Sequence, residues 1–231
     1  MSHWNETISG MHPTPYCPPA NHGLDILHLS EQLIVVNKPS GLLSVPGRGA
    51  GKEDCLSRRV QAEYPDALIV HRLDMGTSGI VVMARGADAQ RALSVMFQER
   101  RVSKRYQALV DGCWSAVAEG EIDLPISGDW PRRPKQKVDH AAGRPSLTRY
   151  RVLDVDTVRA VSRIELDPVT GRSHQLRVHL EAMGHPIIGD DFYGTPASRA
   201  KAERLMLHAC RIELFEPGTG VPLCVDSPPP F

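Results

Sequence analysis

Two short segments hold the residues best placed to do chemistry. His71-Arg72-Leu73-Asp74-Met75-Gly76-Thr77-Ser78-Gly79 sets one acid among apolar and small residues, just before an apolar run. A carboxylate in such surroundings is costly unless it is paired or hydrogen-bonded. Two readings follow: a turn in which Asp74 binds the amides of Gly76 and Thr77, or a nucleophile or base. Gly171-Arg172-Ser173-His174-Gln175-Leu176-Arg177 carries two arginines on what reads as a polar helix face. A buried carboxylate needs such a partner, and a guanidinium beside it favours the charged, reactive form.

Other patterns fail on spacing. Gly47 to Lys52 has three residues between its outer glycines and Glu53 after the lysine, where a phosphate loop needs four and then Ser or Thr. His174 and His179 are five apart, off a common helical face, so no metal is expected. Asp190-Asp191 beside Gly189 reads as a turn rather than a cation site. Asn5-Glu6-Thr7 is a sequon without a secretory context. Cys17, Cys55, Cys113, Cys210 and Cys224 are odd in number and contain no C-x-x-C pair, which argues against a disulfide framework and for a reducing cytoplasm.

The elements that must position Asp74 and Arg177 alternate irregularly. Gln32 to Asn37 is a short apolar run closed by the turn cluster Lys38-Pro39-Ser40-Gly41. Asp54 is expected to cap a helix with Leu56, Val60 and Tyr64 on one face, ended by Pro65. Gly79 to Ala84 reads as a buried strand. Asp88 opens a helix whose Ala89, Ala92, Leu93, Met96 and Phe97 share a face. Lys104 to Val110 alternates, with Tyr106, Ala108 and Val110 together. Thr148 to Val155 and Val158 to Leu166 read as strands joined at Asp156-Thr157. Ser173 is expected to cap a helix that buries Leu176, Leu180 and Met183 and stops at Gly184. Strands outnumber helices and hairpins are frequent, so the class is α+β with a mixed, largely antiparallel sheet.

Composition narrows the function classes. At 41% hydrophobic and 23% charged, the chain is not disordered over its length. No stretch approaches the roughly 20 apolar residues of a membrane helix. Residues 1–23 hold no Lys or Arg and no apolar core; they read as a flexible extension, with residues 24–231 as one catalytic domain. The 27 basic and 27 acidic residues balance. Between Arg132 and Arg151, however, seven bases face one acid, Asp139, and Arg100, Arg101, Lys104 and Arg105 form a second basic cluster. With Trp130 beside the first run, a local polyanion-binding face is expected, a solvated loop being the plainer reading.

HRLDMGTSG (residues 71–79) resembles the HRLDxxTSG motif of the RluA-type pseudouridine synthases. GRSHQLRVHL resembles their GR(S/T)HQ(I/L)R motif, and Gly184 to Asp190 their GHPIxGD segment. Val36 to Leu42 resembles the family's opening strand and turn, and Leu207-His208-Ala209 its closing LHA. The likeness runs from about Leu24 to Phe231, without the family's frequent S4 module. It implies the pseudouridine synthase fold and a cofactor-free isomerase acting on a flipped loop uridine of tRNA or rRNA. The segments SGLLSVPGR, DWPRRPKQKV and GDDFYG resemble the members that act on tRNA position 32 and 23S rRNA position 746.

By the same resemblance Asp74 is the catalytic carboxylate, attacking sugar or base or removing a sugar proton, and Arg177 pairs with it. Tyr106 stacks on the uracil, Leu207 backs its pocket, and Arg72 takes the flipped base's place. Arg132, Arg133, Lys135 and Lys137 are the expected phosphate contacts, and His71 is taken as mainly structural. A cytoplasmic monomer is expected. The alternatives are the same chemistry on another uridine, and an RNA-binding or remodelling protein without turnover.

Overall fold

The computed structural model describes residues 16–114 and 119–231; the Asn5 sequon, Pro13 and Pro15 lie outside them. In chain order the elements are β1 (Ile26–Leu29), β2 (Leu33–Lys38), α1 (Leu56–Glu63), β3 (Ala67–Ile69), β4 (Ser78–Arg85) and α2 (Ala87–Gln98). β5 (Ser103–Asp111), β6 (Glu119–Asp123), β7 (Ile126–Gly128), β8 (Gln136–Val138), β9 (Leu147–Asp156) and β10 (Val161–Pro168) follow. The chain closes with α3 (Gln175–Ala182), α4 (Pro196–Ala200), β11 (Leu207–Phe215) and β12 (Pro222–Asp226). Ten strands make one sheet in the order β1-β2-β4-β11-β5-β10-β9-β6, with β12 on β11 and β3 on β4. β7 and β8 form a separate hairpin. The sheet is mixed: β4 and β11 run parallel, and the other pairings are antiparallel.

The apolar runs of β2 and β4 do not alternate because both of their faces are covered. Leu33, Val35, Ile80 and Val82 pack against Ala89, Leu93 and Met96 of α2. Ile34, Val36, Val81 and Met83 pack on the opposite side against Leu56 and Val60 of α1. Each such burial stabilises by about 1.5–3 kcal/mol before chain entropy is counted. β5 and β10 do alternate: Ala108, Val110, Ile164 and Leu166 face Leu176 and Leu180 of α3.

The parallel pair is made possible by one glycine. Gly79 has φ +112° and sits opposite Ala209. A Cβ there would lie 2.6 Å from the Ala209 nitrogen and overlap its carbonyl oxygen. Beside it, Ser78 Oγ and His208 Nδ1 are 2.8 Å apart across 130 positions of sequence, and His208 Nε2 reaches Ser227. The TSG and LHA segments therefore bind each other, and this junction fixes the start of β4.

Several local expectations give way. Asp54 does not cap α1; the N-cap is Cys55, and Asp54 instead takes two hydrogen bonds from Arg59 at 2.8 and 2.7 Å. The guanidinium is a stronger partner for a charged carboxylate than a helix amide. The β9–β10 turn is longer than expected and spans residues 157–160, with Asp156 Oδ1 accepting the amides of Val158 and Arg159. Val158 is consequently 95% exposed. Met183 is also exposed, because α3 ends before it. Part of the expected flexible extension is pinned: Tyr16 donates to the Asp54 carbonyl and accepts the Leu43 amide, and Arg59 holds the Pro19 carbonyl.

Candidate active site

Asp74 stands in the turn between β3 and β4, and the segment after β2 cradles that turn. Ser44 Oγ donates to the Leu73 carbonyl at 2.7 Å and accepts the Leu73 amide. Ser40 Oγ donates to the Gly76 carbonyl at 2.7 Å, and the Gly41 amide to the Met75 carbonyl at 2.9 Å. Lys38 is fully buried; its Nζ donates to the carbonyls of Pro39, Leu42 and Met75. Burial pushes the Lys38 pKa down to about 7, against the opposing pull of the Asp74 charge. The turn itself is closed by the main chain, Thr77 N to Asp74 O at 3.1 Å, which leaves the carboxylate out of it.

That carboxylate faces Arg177, whose Nη1 donates to Asp74 Oδ2 at 3.2 Å. Arg177 is anchored from behind, with Nε on Asp190 Oδ2 at 2.8 Å and Nη2 on Asp190 Oδ1 at 2.7 Å. Asp190 is fully buried and also accepts the amides of Phe192 and Tyr193. Burial acts to raise its pKa, but the Arg177 bonds and charge and the two amides outweigh it and hold it low. Arg177 stays charged although burial opposes it, because both carboxylates favour its cation. A two-pronged grip on Asp190 thus fixes the guanidinium so that a third nitrogen meets Asp74. Oδ1 of Asp74 has no hydrogen-bond partner among the described residues and remains open to a reacting group.

The helix that carries Arg177 starts in an unexpected way. Ser173 does not cap α3; His174 is the N-cap, in the left-handed region at φ +55°. Gln175, buried, closes the approach: its Oε1 accepts the Arg172 amide and the Thr170 hydroxyl, and its Nε2 reaches Leu147 O and Thr148 Oγ1. Arg172 therefore precedes the helix, while Arg177 is buried and not on a polar outer face. His174 Nε2 lies 3.9 Å from Asp74 Oδ2, and its Nδ1 meets the Tyr193 hydroxyl at 2.7 Å.

Asp74, Arg177, Tyr106, Leu207, Arg72 and Lys104 all line one cleft of about 840 Å³. The Tyr106 phenol is held protonated, first by burial and then by the Asp74 charge. Burial lowers the Lys104 pKa, with Asp167 opposing. A second groove of about 580 Å³ shares Arg72, Asp74 and His174 with the first and opens on Trp130, Arg133 and Lys135. Arg133 stacks on the exposed Trp130 ring at 3.4 Å. Arg132 and Lys137 line neither cavity and are paired with Asp129 at 2.6 Å and Asp139 at 3.6 Å. His71 lines the cleft wall, but its Nε2 accepts the Val82 amide and its ring stacks on Phe97. Burial pushes its pKa down to about 3, which keeps it neutral.

Sequence reasoning placed Asp74, Arg177, Tyr106, Leu207 and Arg72 in one site, and the fold brings them together. It missed Asp190, read as a turn residue, and it missed Lys38 and His174 as parts of the same site. The signal available for Asp190 was an acid three residues before Tyr193, in a segment with no Lys or Arg between Arg177 and Arg199. No group of three or more His, Cys, Asp or Glu side chains suited to a metal occurs among the described residues.

A family model described as RNA pseudouridylate synthase matches residues 32–182. The chain belongs to the RNA pseudouridine synthase family. It is an isomerase that converts uridine to pseudouridine in RNA. It is 48% identical over 216 residues to the dual-specificity RNA pseudouridine synthase RluA of Escherichia coli K12, covering 94% of this chain and 98% of the relative. The Yersinia pestis RluA is 49% identical over 200 residues, 86% of this chain and 95% of that one. Among solved structures, human RNA Pseudouridylate Synthase Domain Containing 1 aligns with a TM-score of 0.77 and 32% identity, covering 93% of this chain and 86% of the other. No helix among the described residues is long and apolar enough to cross a membrane.

Proposed function

We propose that the chain isomerises loop uridines in both tRNA and 23S rRNA, at anticodon-loop position 32 and at position 746, as a cytoplasmic monomer. One observation carries the reading: a carboxylate with a free Oδ1, tied through Oδ2 to a doubly anchored arginine, on the wall of a cleft that holds an aromatic and a basic rim. The close identity to dual-specificity relatives supports the pair of substrates.

The chemistry sets the roles. The N1–C1′ bond breaks, the uracil turns, and C5–C1′ forms; C5 loses a proton and N1 gains one. Nothing is oxidised and no group leaves, so a carboxylate and a shielded pocket suffice. Asp74 attacks or deprotonates at the glycosidic centre, and Arg177 pairs with its carboxylate and aims it. Tyr106 stacks on the base, and its protonated phenol serves the late proton exchange. Leu207 closes the pocket. Arg72, exposed where the two cavities meet, fills the gap left by the flipped uridine; flipping costs only a few kcal/mol in a loop. Arg133 and Lys135 hold phosphates beyond it.

The test is tritium release from transcripts of tRNA and of a 23S rRNA fragment labelled at uridine C5, followed by mapping of the pseudouridines. Stoichiometric release with modification at both positions is expected. Modification confined to another uridine would replace the assigned targets, and binding without release would favour an RNA-binding protein without turnover.

A further inference from the structure

His174 has no part in the roles assigned above, yet the fold spends strain and hydrogen bonds to aim it. It is one of three non-glycine residues with positive φ among the described residues, and such conformations cluster where a side chain must be presented to a ligand. Its ring stacks on Phe192 at 5.7 Å and lies edge-on to Tyr193 at 5.6 Å, which leaves little freedom to turn.

The hydrogen-bond chain assigns the tautomer. The Gln136 amide donates to the Tyr193 oxygen at 2.7 Å. The phenol's own hydrogen is then directed at His174 Nδ1, also 2.7 Å away. Nδ1 is the acceptor, so the neutral ring carries its proton on Nε2. Burial favours that neutral form over the Asp74 charge that opposes it, and the Tyr193 phenol is pushed up to about 12, so it retains its hydrogen. At 3.9 Å from Asp74 Oδ2, the Nε2–H is beyond hydrogen-bond reach of the carboxylate and is left unspent in the cleft.

We propose that His174 is a catalytic hydrogen-bond donor whose Nε2–H binds uracil O2 of the target nucleotide and stabilises the base as it detaches. The inference rests on the isomerase reading above. In that reaction the bond that breaks beside Asp74 is at C1′, and the acceptors within three bonds of that carbon are O4′, the 2′- and 3′-oxygens and uracil O2. Only O2 gains negative charge when the N1–C1′ electron pair stays with the base, so only there does the bond strengthen towards the transition state. No proton is transferred by His174. The electron pair spreads over N1, O2 and O4, and returns to carbon when C5 bonds to C1′.

The test compares single-turnover rates at saturating RNA for the wild type, His174→Asn and Tyr193→Phe. Each is measured on the same RNA with uridine or 5-fluorouridine at the target. Asparagine tolerates the left-handed backbone but cannot reach as far. Wild-type turnover establishes the isomerase reading independently. Against it, His174→Asn should slow bond cleavage about 100-fold, the scale of losing one oxyanion donor, with the dissociation constant changed less than about threefold. On 5-fluorouridine RNA, where the fluorine already stabilises the detached base, the loss should shrink to about tenfold. Tyr193→Phe should fall about tenfold with the same fluorine dependence, and carries the test if the asparagine protein melts early. Equal losses on both RNAs, or a loss confined to RNA binding, would overturn the proposal. So would wild-type rates in Tyr193→Phe.

Discussion

Replacing Arg177 with methionine should damage the fold more through Asp190 than through Asp74. Asp74 is 28% exposed and can rehydrate, whereas Asp190 is 0% exposed and loses both charge-assisted bonds at once. Its two remaining partners, the amides of Phe192 and Tyr193, both lie on Oδ1. Breaking one side of a buried pair costs about 3–5 kcal/mol. At about 2–4 °C per kcal/mol for a chain of this size, the melting temperature should fall by about 10 °C. Changing Asp190 to asparagine in the same protein removes the stranded charge and should restore about half of the lost stability. It should not restore turnover, since Asp74 still lacks its cation. The pH dependence has a definite sign. In the wild type the Asp190 pKa is held low, so its contribution is present above the unfolded carboxylate range and lost as pH falls from there through the lowered folded value. Without Arg177 burial is opposed only by the two amides and raises that pKa, so the variant's deficit should widen from pH 5 to pH 8. Urea melts across that range, with tritium release for activity, measure both effects. A deficit below about 1 kcal/mol, the level of a surface pair, or a double variant less stable than the single one, would refute this account.

Asp74→Asn should keep the melting temperature and RNA affinity and reduce single-turnover rate by about 10⁴-fold, the upper end for a positioned acid–base group; a loss of less than about 10²-fold in verified asparagine protein would remove Asp74 from its role. Reversing Arg132, Arg133, Lys135 and Lys137 to Glu should weaken substrate and unrelated hairpins alike and flatten the salt slope by roughly 0.7 per lost phosphate contact, read by filter binding. Because Arg132 and Lys137 have acidic partners, Arg133 and Lys135 alone should account for most of that change. For Lys38, a pKa pulled to about 7 means the unfolded chain binds more protons between that value and the ordinary lysine range. The stability of the wild type relative to Lys38→Met should therefore rise from pH 7 to pH 10 in urea melts; a flat difference would show that Lys38 does not titrate there.

The parts of the fold that could be read in advance are those fixed by local pattern. Ala89, Leu93 and Met96 of α2 are buried as their spacing predicts, although Ala92 on the same face is exposed at its edge. In β5 the alternation puts Ala108 and Val110 inside with Tyr106 half-buried. For Asp74 the residues alone left a turn and a reactive carboxylate both open, and the motif resemblance was what favoured the second. What local pattern misses is partnership at a distance. Asp190 looks like a turn residue, and it does accept two turn amides; its union with Arg177 exists only after α3 docks. Ser173 loses the cap position because Gln175 folds back on Arg172 and forces His174 into the left-handed region. Asp54 fails as a cap for a similar reason, since Arg59 one turn on is the stronger partner. Lys38 read as a turn lysine, because nothing in its neighbourhood reveals that the Met75 carbonyl arrives 37 residues later.

The place of β11 has a consequence for the making of the protein. β11 is synthesised well after β4 and β5, yet it lies between them in the middle of the sheet. Contact order is therefore high, and the growing polypeptide cannot close its centre until residues 207–215 have left the ribosome. At roughly 5–20 residues per second, that leaves β4 and β5 without their shared neighbour for several seconds. Throughout that interval the Asp74 turn lacks its junction with Ala209 and His208, so the site is assembled only after β11 is inserted. The same strand edges, unpaired meanwhile, are the ones open to mispairing.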